Sequence, residues 1–262
     1  MEKLRNKKLF LLDMDGTIYL GDRLFEGVIE FLDYIKEIGG RYLFLTNNSS
    51  KSVEKYVEKL ASLGITATAD DFLTSVNATE KYIDGKYKKI YVLGTTALKE
   101  QLAAYPITDE IEDDIDCLLM GFDTELTFKK LEDASILLTT RDIDYIATNP
   151  DYVCPTSYGY VPDCGSVSDM LFNATGKRPK FIGKPEPDMV YLALEKTGYS
   201  SDEAILIGDR VYTDIACGIN AGIDAMLVLS GEATMDDVEK NEKKPTYIFE
   251  DVKTFLEFLK KN

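Results

Sequence analysis

The sequence predicts an α/β protein, a doubly wound, Rossmann-like parallel sheet interrupted by an inserted α/β domain. Short apolar runs alternate with longer amphipathic ones along all 262 residues. The runs are nearly continuous in apolar character, as strands covered on both faces of a parallel sheet must be. Four polar motifs succeed runs of this kind, and the stretch between the second and third is too long for one crossover and carries strands of its own.

The expected strands are 9–12 (LFLL), 42–45 (YLFL), 90–93 (IYVL), 117–120 (CLLM), 145–147 (YIA), 204–207 (AILI) and 225–229 (AMLVL), with a weaker one at 247–249 (YIF). A further short run, KFI, leads into the third motif. Between strands, VIEFLDYIKEIGG sets Val28, Phe31, Leu32, Ile35 and Ile38 on one helical face and ends in glycine. SVEKYVEKLASLG spaces Val53, Val57, Leu60 and Leu63 the same way, with Ser49 or Ser50 expected as its cap and Gly64 as its stop. MVYLALEKTG and the closing VKTFLEFLKK are also read as helices. TIYLGDRLF holds a Gly21-Asp22 turn between β-prone pieces and predicts a small hairpin. Residues 155–162, with Tyr158 and Tyr160, are read as a loop. The expected organisation is a core of residues 1–78 and 181–262 with an inserted α/β domain over 79–180.

Composition excludes several chemistries. With no histidine, the chain can build neither a Ser-His pair nor a His-bound zinc site, and proton transfer near neutral pH falls to Asp, Glu, Lys, Tyr or Cys. Cys117, Cys154, Cys164 and Cys217 form no C-x-x-C pair, and four reduced thiols in a cytoplasmic protein are expected. A net charge of −16 disfavours nucleic acid polymers and anionic membranes as partners, yet admits an anionic substrate where a metal and lysines reverse the local potential. The apolar run near the N-terminus is cut short by Asp13, so it is read neither as a signal peptide nor as a membrane span.

The motifs at the strand ends are chemically coherent. LFLL leads into Asp13-Met14-Asp15-Gly16-Thr17, YLFL into Thr46-Asn47-Asn48-Ser49-Ser50, KFI into Gly183-Lys184-Pro185, and AILI into Gly208-Asp209-Arg210-Val211-Tyr212-Thr213-Asp214. In open α/β sheets, sites form beyond the carboxyl ends of the strands. Gathered there, Asp13, Asp15, Asp209 and Asp214 would repel strongly. Two unit charges ~4 Å apart cost about 4 kcal/mol at an effective dielectric of ~20. A hard cation bound by oxygen, Mg²⁺ by preference, converts that repulsion into attraction. Thr46 and Asn47 offer donors at an expected helix N-terminus, and Lys184 is a point charge suited to phosphate. Such a set fits phosphoryl transfer, in which one carboxylate attacks phosphorus to give an aspartyl-phosphate and a second moves protons.

DMDGTIY, TNNSS, ATNPD, GKPEP and GDRVYTDI followed by NAGID resemble the motifs of the haloacid dehalogenase (HAD) superfamily, in its NagD and p-nitrophenyl phosphatase branch. The resemblance spans nearly the whole chain and implies a phosphatase of small phosphomonoesters such as nucleotide monophosphates or sugar phosphates. Carried over by position, Asp13 is the nucleophile and Asp15 the general acid/base. The Asp13 carboxylate, the Asp15 carbonyl and Asp209 hold Mg²⁺, and Asp214 supports the metal waters or Lys184. Thr46, Asn47 and Lys184 hold the phosphoryl group. The insertion becomes a large α/β cap in which Asn149 and Asp151 face the leaving group, and a homodimer through the cap is a family-level implication. The rival readings are a phospho-accepting receiver-like module and a phosphotransferase to an acceptor other than water. Asp15, placed to activate water, and the long insertion argue against the receiver.

Overall fold

A computed structural model describes residues 2–156 and 158–261. The chain divides into two compact units. The first takes the segment ending at Thr46, Tyr56–Leu73 and the segment from Lys184 onward; the second takes Asn47–Lys55 and Thr74–Gly183.

The first unit is built on six strands: β1 (Leu9–Leu12), β2 (Arg41–Thr46), β3 (Phe72–Thr74), β4 (Ala204–Gly208), β5 (Asp224–Val228) and β6 (Tyr247–Phe249). Their order across the sheet is β6-β5-β4-β1-β2-β3. β1 pairs in parallel with β2 on one side and β4 on the other, Leu12 lying opposite both Phe44 and Ile207. All four residues of β1 are fully buried, which is why LFLL has no polar face. The helix Val28–Glu37 covers one face with Val28, Phe31, Leu32 and Ile35. Phe31 meets Phe10 edge-on at 5.6 Å and leans on Phe255 of the closing helix Val252–Lys260 at 5.5 Å. Burying each such ring contributes about 1.5–3 kcal/mol.

The strand order reverses between β1 and β4. The chain leaves β1 toward β2 and β3, then returns to β1's other side as β4 and continues outward. The carboxyl ends of β1 and β4 therefore border a crevice, the place where open α/β sheets put their sites. Tyr19–Leu20 and Arg23–Leu24 form the expected antiparallel hairpin just after β1.

The second unit contains a five-stranded parallel sheet ordered Lys180–Phe181, Asp144–Ala147, Cys117–Met120, Ile90–Leu93, Ile107–Thr108. The helices Phe128–Thr140 and Cys164–Thr175 pack on one face through Ala134, Leu137, Leu138, Val167 and Leu171. Thr127 and Asp163 cap these helices, each side chain accepting a backbone N–H.

Several expectations need correction. Lys180–Phe181, read as leading into the core motif GKP, pairs with Asp144–Ala147 in the second unit's sheet. The helix after TNNSS begins only at Val53, so neither Ser49 nor Ser50 caps it and Thr46 does not lie at its N-terminus. Ser50 instead donates from N and Oγ to Asn48 Oδ1, at 2.9 and 2.7 Å, closing a turn that postpones the helix. Of the stretch 155–162 read as a loop, residues 155–156 and 159–162 belong to an antiparallel ladder between Val153–Thr156 and Gly159–Pro162, and residue 157 lies outside the described residues. The four cysteines are free thiols. Among the described residues, no helix is long and apolar enough to cross a membrane.

Candidate active site

The first unit brings Asp13, Asp209 and Asp214 together, one carboxylate oxygen of each lying within 4.8 Å of the others. Asp13 follows β1 directly, its backbone N–H still donating to Ile207 O at 2.9 Å. Asp209 follows β4. Asp214 lies in a π-helical turn, Val211–Ile215, that carries the chain back over the end of β4. Its Oδ2 accepts the Arg210 N–H at 3.1 Å. Such turns are uncommon and recur at functional sites.

Lys184 joins this cluster. Its Nζ donates to Asp13 Oδ1 at 2.5 Å and Asp214 Oδ1 at 2.6 Å, with Leu45 O at 3.4 Å. Burial opposes its charge, but Asp13 and Asp214 together outweigh burial and hold the ammonium more firmly protonated than usual. Three carboxylates thus face one lysine. Burial first, then Asp214, drives the Asp13 carboxyl well above its ordinary range, against the pull of Lys184. Burial and Asp214 likewise push Asp209 up to about 7.

Asp209 has an asymmetric environment. Oδ2 accepts the Glu232 N–H at 2.7 Å, whereas Oδ1 is buried with no hydrogen-bond partner. A buried carboxylate oxygen without a donor is costly. Three clustered carboxyl groups beside one lysine are an oxygen donor set for a divalent cation, so these residues fit Mg²⁺. Backbone makes room for this carboxylate. A Cβ on Gly16 or Gly231 would run into Asp209 Oδ2, and Gly16 also has a positive φ of 92°. Ser230 Oγ donates to Gly16 O at 2.7 Å and ties the loop after β5 to the turn after β1.

Asp15 is not part of the cluster. Its side chain, 36% exposed, meets Lys59 Nζ at 3.8 Å through Oδ1 and the Tyr19 hydroxyl at 3.4 Å through Oδ2. Thr46 ends β2 and is buried.

The remaining candidates fall in the second unit and are held together there. Asn47 Nδ2 donates to Asp151 Oδ2 at 2.9 Å. Asn149, wholly buried, donates to Asp151 Oδ2 at 3.0 Å and Asp163 Oδ1 at 3.1 Å, while its Oδ1 accepts from Thr148 at 2.9 Å. Ser49 Oγ accepts the Phe122 N–H and bonds Thr148 Oγ1, both at 2.9 Å. The polar end of YIA is thus an internal network joining 47–49 to 148–151. The spacing Asn-Pro-Asp carries no sign of it, because its other half lies 104 residues earlier. Gly231, Glu232 and Lys59 also belong to the site without standing in any of the four motifs. Gly231 has a visible signal, a Ser-Gly pair just past an apolar strand; a lysine on a helix has none.

Comparison with known proteins agrees with the geometry. Residues 10–108 match the family model of the haloacid dehalogenase-like hydrolases, and residues 181–255 match a second model, described as HAD-hydrolase-like. The acid sugar phosphatase of Staphylococcus haemolyticus is 33% identical over 99% of both chains. The 4-nitrophenylphosphatase of Thermotoga maritima is 40% identical over 97% of this chain and 98% of its own, with a TM-score of 0.90. A glycerol phosphate phosphatase of Mycobacterium tuberculosis, solved with magnesium, is 30% identical over 95% of this chain and 77% of its own, with a TM-score of 0.88. The chain belongs to the haloacid dehalogenase-like hydrolases, in their NagD and p-nitrophenylphosphatase branch, and is a phosphoric monoester hydrolase acting on small phosphoesters.

Proposed function

We propose that this hydrolase is a Mg²⁺-dependent, cytoplasmic phosphatase of sugar and polyol phosphates that works through an aspartyl-phosphate on Asp13. The observation that carries the reading is the charge balance after β1 and β4, with three carboxylates against one buried lysine and a partnerless oxygen on Asp209. Asp13, the Asp15 carbonyl and Asp209 would hold the metal, and Asp214 would hold Lys184. When bound, the metal supplies positive charge that ionises these carboxylates and offsets the charge of the phosphoryl group.

Asp13 attacks phosphorus, and the bond from phosphorus to the ester oxygen breaks. Asp15 gives its proton to the departing oxygen. Water then attacks the phosphorus of the acyl phosphate while Asp15 takes the water proton, and the Asp13 carboxylate is released. Lys184 faces the attacking carboxylate and, with Thr46 and Asn47, neutralises and orients the phosphoryl oxygens. The insertion, expected from the sequence to be a cap, would set which leaving groups are accepted. Its buried network sets the shape of the segment leaving Thr46, a positioning role for Asn149 and Asp151 in place of direct contact with the leaving group. The names of the relatives, acid sugar phosphatase and glycerol phosphate phosphatase, support the substrate class.

A panel of sugar, polyol and nucleotide monophosphates assayed with Mg²⁺ and with chelator tests the proposal. Release of phosphate from sugar or polyol phosphates only when Mg²⁺ is present is the expected result. Equal turnover in chelator, or a stable phosphoprotein without turnover, would overturn it.

A further inference from the structure

We infer that Lys59 is a positioning residue for proton transfer, holding the Asp15 carboxylate to one side of the three-carboxylate cluster. The inference rests on the proposed role of Asp15 as general acid/base and extends it to a residue in another element.

Lys59 lies on the helix Val53–Ser62, whose Tyr56 and Leu60 are buried. Its ammonium sits 3.7 Å from the centre of the Tyr19 ring and 3.8 Å from Asp15 Oδ1. Its side chain is only 24% exposed, uncommon cover for a lysine. Tyr19 is fully buried, fixed by pairing with Leu24 in the hairpin, and its hydroxyl turns to Asp15 Oδ2. Asp15 therefore has a partner for each oxygen, a cation on one and a hydroxyl on the other. The Asp15 carboxylate, so held, is not one of the three that Asp13, Asp209 and Asp214 bring together.

This division has a chemical purpose. A fourth carboxylate beside a cation site would be drawn in as a ligand and lost to proton transfer. The ammonium of Lys59 is a competing attraction, and the Tyr19 ring beneath it fixes where that attraction acts. Asp15 is thereby left to place its proton on the ester oxygen as the bond to phosphorus breaks. The benefit depends on the leaving group. A sugar alkoxide needs the proton, whereas a nitrophenolate departs almost without it.

The test compares Lys59→Met, Lys59→Arg and Asp15→Asn in the full chain with Mg²⁺, using glucose 6-phosphate and p-nitrophenyl phosphate as probes. In Lys59→Met, kcat/KM should fall about tenfold or more on the sugar phosphate and clearly less on the nitrophenyl ester. Lys59→Arg, which keeps the charge, should recover most of the loss. Equal losses on both substrates, no loss on either, or an arginine variant as impaired as the methionine variant would each overturn the inference. If Asp15→Asn is fully active, the proposed role of Asp15 fails and this inference with it. If Asp15→Asn is impaired while Lys59→Met shows no selective loss, this inference alone fails. Circular dichroism on each variant separates lost folding from lost chemistry. Tyr19→Phe, which keeps the ring and removes the hydroxyl, should leave the substrate-selective effect of Lys59→Met intact.

Discussion

Lys184 and Asp214 form an ion pair 2.6 Å long in which neither side chain is more than 3% exposed. Removing one partner of such a pair leaves the other charged and buried. Lys184→Met is therefore expected to abolish turnover and to cost about 3–5 kcal/mol of stability. Combining it with Asp214→Asn should return much of the stability and none of the activity. Urea unfolding beside phosphate release checks both halves.

Asp13→Asn should abolish turnover without harming the fold. It removes one of three clustered carboxylates, so the metal-free protein should be as stable as wild type or more so. Asp15→Asn should slow turnover by ~10²–10⁴ and leave the metal-free stability nearly unchanged. Wild-type rates in Asp13→Asn would end its assignment as nucleophile.

The acidic cluster also fixes a pH dependence. Asp209 is ordinarily ionised above about 4 but in the fold is held up to about 7, and Asp13 is raised in the same direction. Groups raised in this way stabilise the fold fully below the unfolded value and lose that contribution as pH rises through the folded one. The metal-free protein should therefore melt at a lower temperature at pH 8 than at pH 5. Mg²⁺ should raise Tm more at pH 8, where the carboxylates most need a counter-charge. Asp209→Asn should flatten the pH dependence and weaken the response to Mg²⁺. Calorimetry across that range, with metal and with chelator, provides the comparison.

Gly231→Ala places a methyl group against Asp209 Oδ2. The carboxylate must turn away, so the Mg²⁺ concentration for half-maximal activity should rise about 10–100-fold. A titration of activity with Mg²⁺ measures this directly.

Asn149→Ala removes one donor from each of the Asp151 and Asp163 carboxylates, which keep Asn47 and the Cys164 N–H, and leaves Thr148 without its acceptor on residue 149. It should lower stability by about 1–3 kcal/mol. The ranking of sugar, polyol and nucleotide substrates should change little, since all the amide's hydrogen bonds described are internal. Thermal melts and the substrate panel read the two effects separately.

The core of the site was legible because the chemistry sits where strands stop. LFLL and AILI announced buried strands, and Asp13 follows the first directly and Asp209 the second after one glycine, so their meeting at the β1–β4 crevice needed only the rule for doubly wound sheets. Lys184 carried a similar signal, although the strand before it belongs to the second unit. The network of Asn149 was not legible, because Asp163, which Asn149 bonds, and Asn47, which bonds Asp151, are joined to it by folding and not by spacing. Ser49 misled for a related reason. In sequence it looks like a helix cap, but Phe122 N–H and Thr148 claim its hydroxyl, and tertiary partners outrank local propensity.

The strand order of the first unit bears on how the polypeptide is made. β1 is synthesised well before one of its two neighbours, which begins only at Ala204. Until that segment is synthesised, β1, β2 and β3 can form at most half a sheet, with an apolar edge along Leu9–Leu12 open to pairing with other chains. The second unit, whose strands all lie between Ile90 and Phe181, can assemble its own sheet first. The nascent chain should therefore gain its inserted half before its catalytic half, and the exposed edge of β1 is the place where a chaperone would act or aggregation would start.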